Sequence, residues 1–86
     1  MRLYFTSRFR RISKQLSRKN PKLKTIIERQ INLFQKGSLH QSLRAHKLQG
    51  SRSSQYSFWV ERNLRIIYTK DGQDIIMTDI ITHDEY

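Results

Sequence analysis

The stretch from His46 to Tyr68, HKLQGSRSSQYSFWVERNLRIIY, decides how the chain folds. Tyr56-Ser57-Phe58-Trp59-Val60 and Leu64-Arg65-Ile66-Ile67-Tyr68 are dense in aromatic and β-branched residues, which suit a pleated, half-buried surface. Glu61-Arg62-Asn63 between them is short and polar, so the two runs are predicted to form a β-hairpin. Register then decides which side chains share a face. Pairing Glu61 with Arg65 puts Val60 and Ile66 on the core face, and Ser57, Trp59, Glu61 and Arg65 on the other. A loop one residue shorter would send Arg65 to the core beside Val60. Burying an unpaired charge is costly, so the first register is expected.

Working outward, Asp71-Gly72 is predicted to form a second hairpin turn, because both central positions of such turns favour positive φ. Asp74 to Ile81 follows as the last strand. Upstream, residues 38–55 are polar, with Leu39, Leu43 and Leu48 expected to pin them to the core. Leu23, Ile26, Ile27, Ile31 and Phe34 form the apolar stripe of a helix from about Pro21 to Lys36, stopped by Gly37. Phe9, Ile12 and Leu16 mark an earlier helix with Ser7 as its expected cap and Asn20-Pro21 as its end. Arg2 to Thr6 is the first strand. The order is β-α-α-β-β-β: an α+β domain over residues 1–86, with an αα-hairpin packed on an antiparallel sheet.

Charge separates the function classes. The chain carries 17 Lys and Arg against 7 Asp and Glu, a net charge of +10. Residues 1–52 hold fourteen bases and one acid, net +13, and residues 53–86 hold three bases and six acids, net −3. Such a field favours polyanions, and nucleic acid is expected ahead of an acidic protein surface. With no cysteine there is neither a disulfide framework nor a thiolate metal site. No apolar run approaches the ~18 residues of a membrane span. MRLYFTSRFRR also lacks the apolar stretch of a secretory signal. A cytoplasmic protein without membrane contact is expected.

His46 opens the basic turn and His83 closes the last strand. Imidazoles titrate near neutrality, so two of them flanking one groove could serve as general base and general acid. Arg65 could hold a phosphate and neutralise developing charge. Lys47 could add a point charge, and Trp59 a face for a stacked base. Tyr86 could supply a hydroxyl or a second ring. Arg44, Arg52 and Arg62 are further candidates for RNA-backbone contacts. This set suits RNA cleavage in which the 2′-OH attacks the adjacent phosphorus. Plainer roles stand beside each: Arg65 as the ion-pair partner of Glu61, Trp59 as packing, and either histidine as loop surface, the role expected for His40. Asp79, Asp84 and Glu85 could hold a hard cation, but no phosphate-cradling loop adjoins them. A solvated acidic end is expected, with no metal and no cofactor.

His46-Lys47-Leu48-x-Gly50, Ser57-Phe58-x-Val60, Arg65-Ile66-Ile67-Tyr68 and Thr82-His83-Asp84-Glu85-Tyr86 together resemble the RelE/ParE superfamily of toxins from bacterial toxin–antitoxin pairs. The YafQ-like messenger-RNA interferases are the nearest branch. The resemblance implies a ribosome-associated endoribonuclease that cuts messenger RNA and is silenced by a cognate antitoxin, whose acidic segment would wrap the basic surface. It also implies that the family's two histidines fall on His46 and His83, and its strand arginine on Arg65. Trp59 stands where YafQ-like members can carry a further histidine, Asn63 where the hairpin turn can carry aspartate, and Ile81 where glycine can precede Thr-His. Tyr86 lies about where an aromatic catalytic residue is expected. Two other functions remain open: a ParE-like toxin that poisons DNA gyrase without cutting nucleic acid, and a basic RNA-binding domain with no chemistry.

Overall fold

The computed structural model describes residues 2–37, 46–47, 55–62 and 64–82, with the backbone alone at 46, 47 and 82. In chain order the elements are β1 (Leu3–Phe5), α1 (Ser7–Lys19), α2 (Pro21–Lys36), β2 (His46–Lys47), β3 (Tyr56–Glu61), β4 (Leu64–Asp71) and β5 (Asp74–Thr82). The expected β-α-α-β-β-β order is present, with the two-residue β2 added before the hairpin. The sheet runs β1-β5-β4-β3-β2. Each neighbouring pair from β2 to β5 is antiparallel, whereas β1 lies parallel to β5, so the sheet is mixed. Direction follows from counting reversals. β1 and β2 point opposite ways, so the helical pair returns the chain to the end of the sheet where β1 finished. The alternating strands that follow then bring β5 round to the direction of β1.

Local chemistry sets the helix ends. Thr6, not Ser7, caps α1: its backbone is extended and its hydroxyl accepts from the Phe9 N–H at 3.1 Å. The same hydroxyl donates to the Thr78 carbonyl at 3.2 Å, tying the start of α1 to β5. Thr6 wins because its N–H still belongs to the sheet, donating to Met77 at 3.1 Å, which holds it in the extended conformation a cap requires. Asn20 alone joins the helices. Its N–H closes α1 on Leu16 at 2.9 Å, and its side chain opens α2 by accepting from Lys22 at 3.2 Å. Gly37 ends α2 with φ 176, an extended conformation rather than the left-handed stop its position suggested.

Phe9, Ile12 and Leu16 of α1 and Leu23, Ile26, Ile27, Ile31 and Phe34 of α2 all pack on one core with Phe58, Val60, Ile66, Tyr68, Ile75, Met77 and Ile80. At its centre the Phe34 ring stacks on Phe58 (4.7 Å between centroids) and meets Tyr68 edge-on (4.9 Å). Every Lys and Arg of both helices is exposed.

Two irregularities decide what lies on the sheet's other face. Between β4 and β5 the register shifts at Ile67/Tyr68: Tyr68 sits opposite Met77 and Ile67 opposite Asp79, leaving Thr78 as an extra residue. Its insertion switches the alternation of β5. Ile75 and Met77 face the helices before it and Ile80 after it, while Ile81 joins Ile67 in a separate buried pair. The second hairpin also turns one residue later than predicted. Asp71 pairs with Asp74, so Gly72 and Gln73 are the central residues, and only Gly72 takes positive φ (62).

Asp79 corrects the expected solvated acidic end. It is 9% exposed, accepts from the Ile80 N–H at 2.9 Å, and pairs with Arg8 Nε at 3.3 Å. Lying past the end of β1, it meets the first turn of α1 instead of a neighbouring strand.

Burial, with the adjacent Tyr56 adding to it, pushes the Tyr68 phenol up to about 12. The folded chain therefore keeps this proton to higher pH than the unfolded chain, whose phenol titrates near 10. Stability from this group is complete below about pH 10 and is lost as pH rises toward 12, by up to ~1.4 kcal/mol per pH unit. Urea denaturation across that window should show a shallower alkaline decline in Tyr68→Phe than in the wild type. Equal slopes would contradict the assignment.

Candidate functional site

The strands of the first hairpin alternate cleanly. Tyr56, Phe58 and Val60 join Leu64, Ile66 and Tyr68 on the helix side. Ser57 and Trp59 therefore share the opposite face with Arg65 and Ile67, and on it Ser57 and Ile67 are fully buried. The ladder sets Trp59 against Arg65, Ser57 against Ile67 and Glu61 against Leu64. The expected Glu61–Arg65 pairing does not form: the hairpin closes one residue tighter, with Glu61 opposite Leu64, and Val60 is taken up as an extra residue, so that Trp59 rather than Val60 lies opposite Arg65. The sharing of one face by Ser57, Trp59 and Arg65 survives that shift.

Trp59 is held from two sides. Its indole Nε1 donates to the Arg62 carbonyl at 2.7 Å, across a turn in which Arg62 adopts positive φ (48). Its own carbonyl accepts from Gln30 Nε2 at 2.9 Å, a bond that crosses from α2 to the irregular part of the hairpin. Gln30 is 6% exposed and was missed by the apolar-stripe reading. Its signal was available: Leu23, Ile27, Gln30 and Phe34 recur at helical spacing, so a polar residue in that row must find a buried partner. Gln30→Ala should cost ~1–3 kcal/mol, because the carbonyl loses its donor inside the core. An unchanged denaturation midpoint would show that the bond contributes nothing net.

Arg65 is half-buried, and its Nε and Nη1 are buried without a hydrogen-bond partner. Ser57 Oγ is likewise buried and unpaired. An unsatisfied buried donor costs ~1–3 kcal/mol, and a charged one more, so a water or anion that reached these atoms would relieve a real penalty.

β2 brings the basic turn to the sheet, with His46 opposite Ser57 and Lys47 opposite Tyr56. His46 thus lies two strand spacings from Ile67, and Arg65 is two residues further along β4, which puts the His46 and Arg65 backbones ~12 Å apart. At the other side Arg65 is aligned with Ile81, and Thr82 with Leu64. His83 is next in sequence. His83, Tyr86, Arg44 and Arg52 lie outside the described residues, as do Asn63, His40 and the leucines expected to pin residues 38–55. Arg62 is exposed at the hairpin turn. Among the described residues no cluster of His, Cys, Asp and Glu could hold a metal ion, and no helix is long and apolar enough to cross a membrane.

Between the helices runs a groove of about 470 Å³. Phe9, Ile27 and Ile31 line it together with Arg10, Lys14, Arg18 and Lys24, and none of the predicted site residues do.

Solved structures of bacterial toxins share this fold. YafQ from E. coli strain BL21(DE3) superposes with a TM-score of 0.78 at 18% identity, covering 99% of this chain and 97% of that one. The YoeB/ParE toxin from Agrobacterium tumefaciens gives 0.77 at 16%, covering 96% and 99%. The E. coli DinJ-YafQ complex gives 0.76 at 19%, covering 99% and 97%. No curated protein sequence matches the chain. The family model described as the bacterial toxin of type II toxin–antitoxin systems, YafQ, matches residues 1–86. With the match running the whole length, and with the helix pair and mixed sheet of those structures, the chain belongs to the YafQ family of type II toxins.

Proposed function

We propose that this toxin is an endoribonuclease that cuts messenger RNA on the ribosome without a metal ion. The observation that carries the reading is Arg65: it pairs with Trp59 in the ladder, has two buried, unpaired guanidinium nitrogens, and lies in a sheet whose edge strand carries His46. Arg65 takes the scissile phosphate and Trp59 offers its ring to a neighbouring base. His46 and His83 supply the proton transfers. One removes the 2′-OH proton as the oxygen attacks phosphorus, and the other protonates the 5′-oxygen as its bond to phosphorus breaks. The products are a 2′,3′-cyclic phosphate and a 5′-hydroxyl. Tyr86 adds a hydroxyl or a stacking ring, and Arg44, Lys47, Arg52 and Arg62 hold flanking phosphates. No small-molecule cofactor takes part, and the site of action is the cytoplasm, where ribosomes translate.

The partner that silences it is a cognate antitoxin, as the DinJ-YafQ complex supports for a protein of the same fold. An acidic segment across the basic helices fits the groove between α1 and α2, whose apolar floor is rimmed by Arg10, Lys14, Arg18 and Lys24 against the single acid Glu28. A second reading, a gyrase-poisoning toxin, draws on Trp59 standing where YafQ-like members can carry histidine.

One experiment separates the two readings. Purified protein is incubated with translating ribosomes on a defined message, and in parallel with supercoiled DNA and gyrase. Cuts in the codon of the ribosomal A site, mapped by primer extension, are the expected result. Gyrase-dependent linear DNA with an intact message would overturn it.

A further inference from the structure

Among the described residues, the buried side-chain polar atoms without a partner are Ser57 Oγ and Arg65 Nε and Nη1. They belong to one patch. Ser57 lies opposite Ile67, and Arg65 opposite Trp59, so Ser57 and Arg65 occupy one diagonal of a square on the face away from the helices and Trp59 and Ile67 the other. Diagonal neighbours on adjacent strands are ~7–8 Å apart, within the reach of a long side chain. On its other side Ser57 is paired with His46.

Among the described residues no acid neutralises the guanidinium. Asp79 is engaged by Arg8 and the Ile80 N–H, and Glu61 lies opposite Leu64. A trapped water could satisfy the hydroxyl but would leave the cation uncompensated. An anion satisfies both, and walls of tryptophan and isoleucine strengthen its attraction by excluding water.

The geometry points to Ser57 as a phosphate-holding residue: its hydroxyl donates to a non-bridging oxygen of the RNA phosphodiester that Arg65 binds, one strand away from His46. This rests on the nuclease reading for the identity of the anion, though not for the existence of the seat. Ser57 is 0% exposed in the free chain. The diester is favoured over a free anion because Trp59, on the same face, provides the stacking surface a nucleotide needs.

The test uses a 2′-O-methyl RNA oligonucleotide, which binds but cannot be cut. Ser57→Ala should weaken its binding about 10-fold, as expected for a lost hydrogen bond to a charged group, and Ser57→Thr should restore much of the loss. A neutral hydroxyl releases no counterion, so the salt slope of binding should be unchanged in Ser57→Ala and reduced by about one in Arg65→Ala. The melting temperature should stay level or rise in Ser57→Ala, since an orphaned hydroxyl is removed. Amide shifts at Ser57 and Arg65 on titration with inorganic phosphate form an arm independent of RNA. Movement at both would support the anion seat even if the oligonucleotide did not bind, in which case the nuclease reading alone would fail. Wild-type affinity in Ser57→Ala, or no phosphate response at either residue, would overturn the proposal.

Discussion

His46→Ala and His83→Ala are each expected to slow cleavage of a ribosome-bound message by about 10²–10⁴-fold, the usual contribution of a positioned acid or base. The effect should fall on the rate of the cut within the bound complex, with RNA affinity little changed, because neither imidazole is asked to hold the phosphate. The proposed mechanism gives that task to Arg65, so Arg65→Ala should weaken binding as well as cleavage. Two imidazoles in opposite protonation states also imply a bell-shaped dependence of rate on pH, each limb set by one of them. Either single substitution should flatten one limb. Pre-steady-state cleavage of a defined message across pH 5–9 reads both effects. If both variants cut at the wild-type rate, the two histidines have no part in the chemistry.

Phe34→Ala should be the most damaging substitution to the fold. Its ring is 1% exposed, stacks on Phe58 and meets Tyr68 edge-on, so it joins α2 to both strands of the first hairpin. Emptying such a site costs ~3–5 kcal/mol. A domain of this size has only ~5–15 kcal/mol in total and shifts by ~4–8 °C per kcal/mol, so a fall of at least ~12 °C in melting temperature is expected. Circular dichroism during heating measures it. A loss under ~1 kcal/mol would mean that the helix–sheet interface repacks without this ring.

Local patterns carried the elements well. The apolar row of α2, the Asn20-Pro21 break and the two β-rich runs of the hairpin each have a signal within a few residues, and each is found in place. What the chain does not display locally is long-range pairing. β1 lies parallel to β5, about seventy positions away, and nothing in Leu3-Tyr4-Phe5 specifies that partner. Irregularities were hidden for a related reason. Val60 and Thr78 are inserted into ladders that look regular in sequence, and both change which residues face each other. With Glu61 opposite Leu64, the extra Val60 is what sets Trp59 opposite Arg65. Thr6 and Ser7 were equally good caps by chemistry, and only the sheet bond of Thr6 separates them.

The candidate site was legible in residue type more than in arrangement. An arginine, a tryptophan and a histidine near one hairpin suggested phosphate and base recognition. Their common face depended on the alternation of β3 and β4, which sequence can predict. The seat of His46 depended on β2, two residues in a polar segment without periodicity. Ser57 had no signal of its own, since a serine in a strand is unremarkable until its hydroxyl is found buried and unpaired.

The central claim, 2′-OH attack assisted by histidine on the face that carries Arg65, is tested most directly by the chemistry of the cut ends. A message cleaved by the purified toxin can be end-labelled with polynucleotide kinase, with and without prior phosphatase, and its 3′ ends resolved. Fragments with 5′-hydroxyl and 2′,3′-cyclic phosphate ends, absent with His83→Ala, are the expected result. Fragments with 5′-phosphate ends, or the same cuts in His83→Ala, would contradict it.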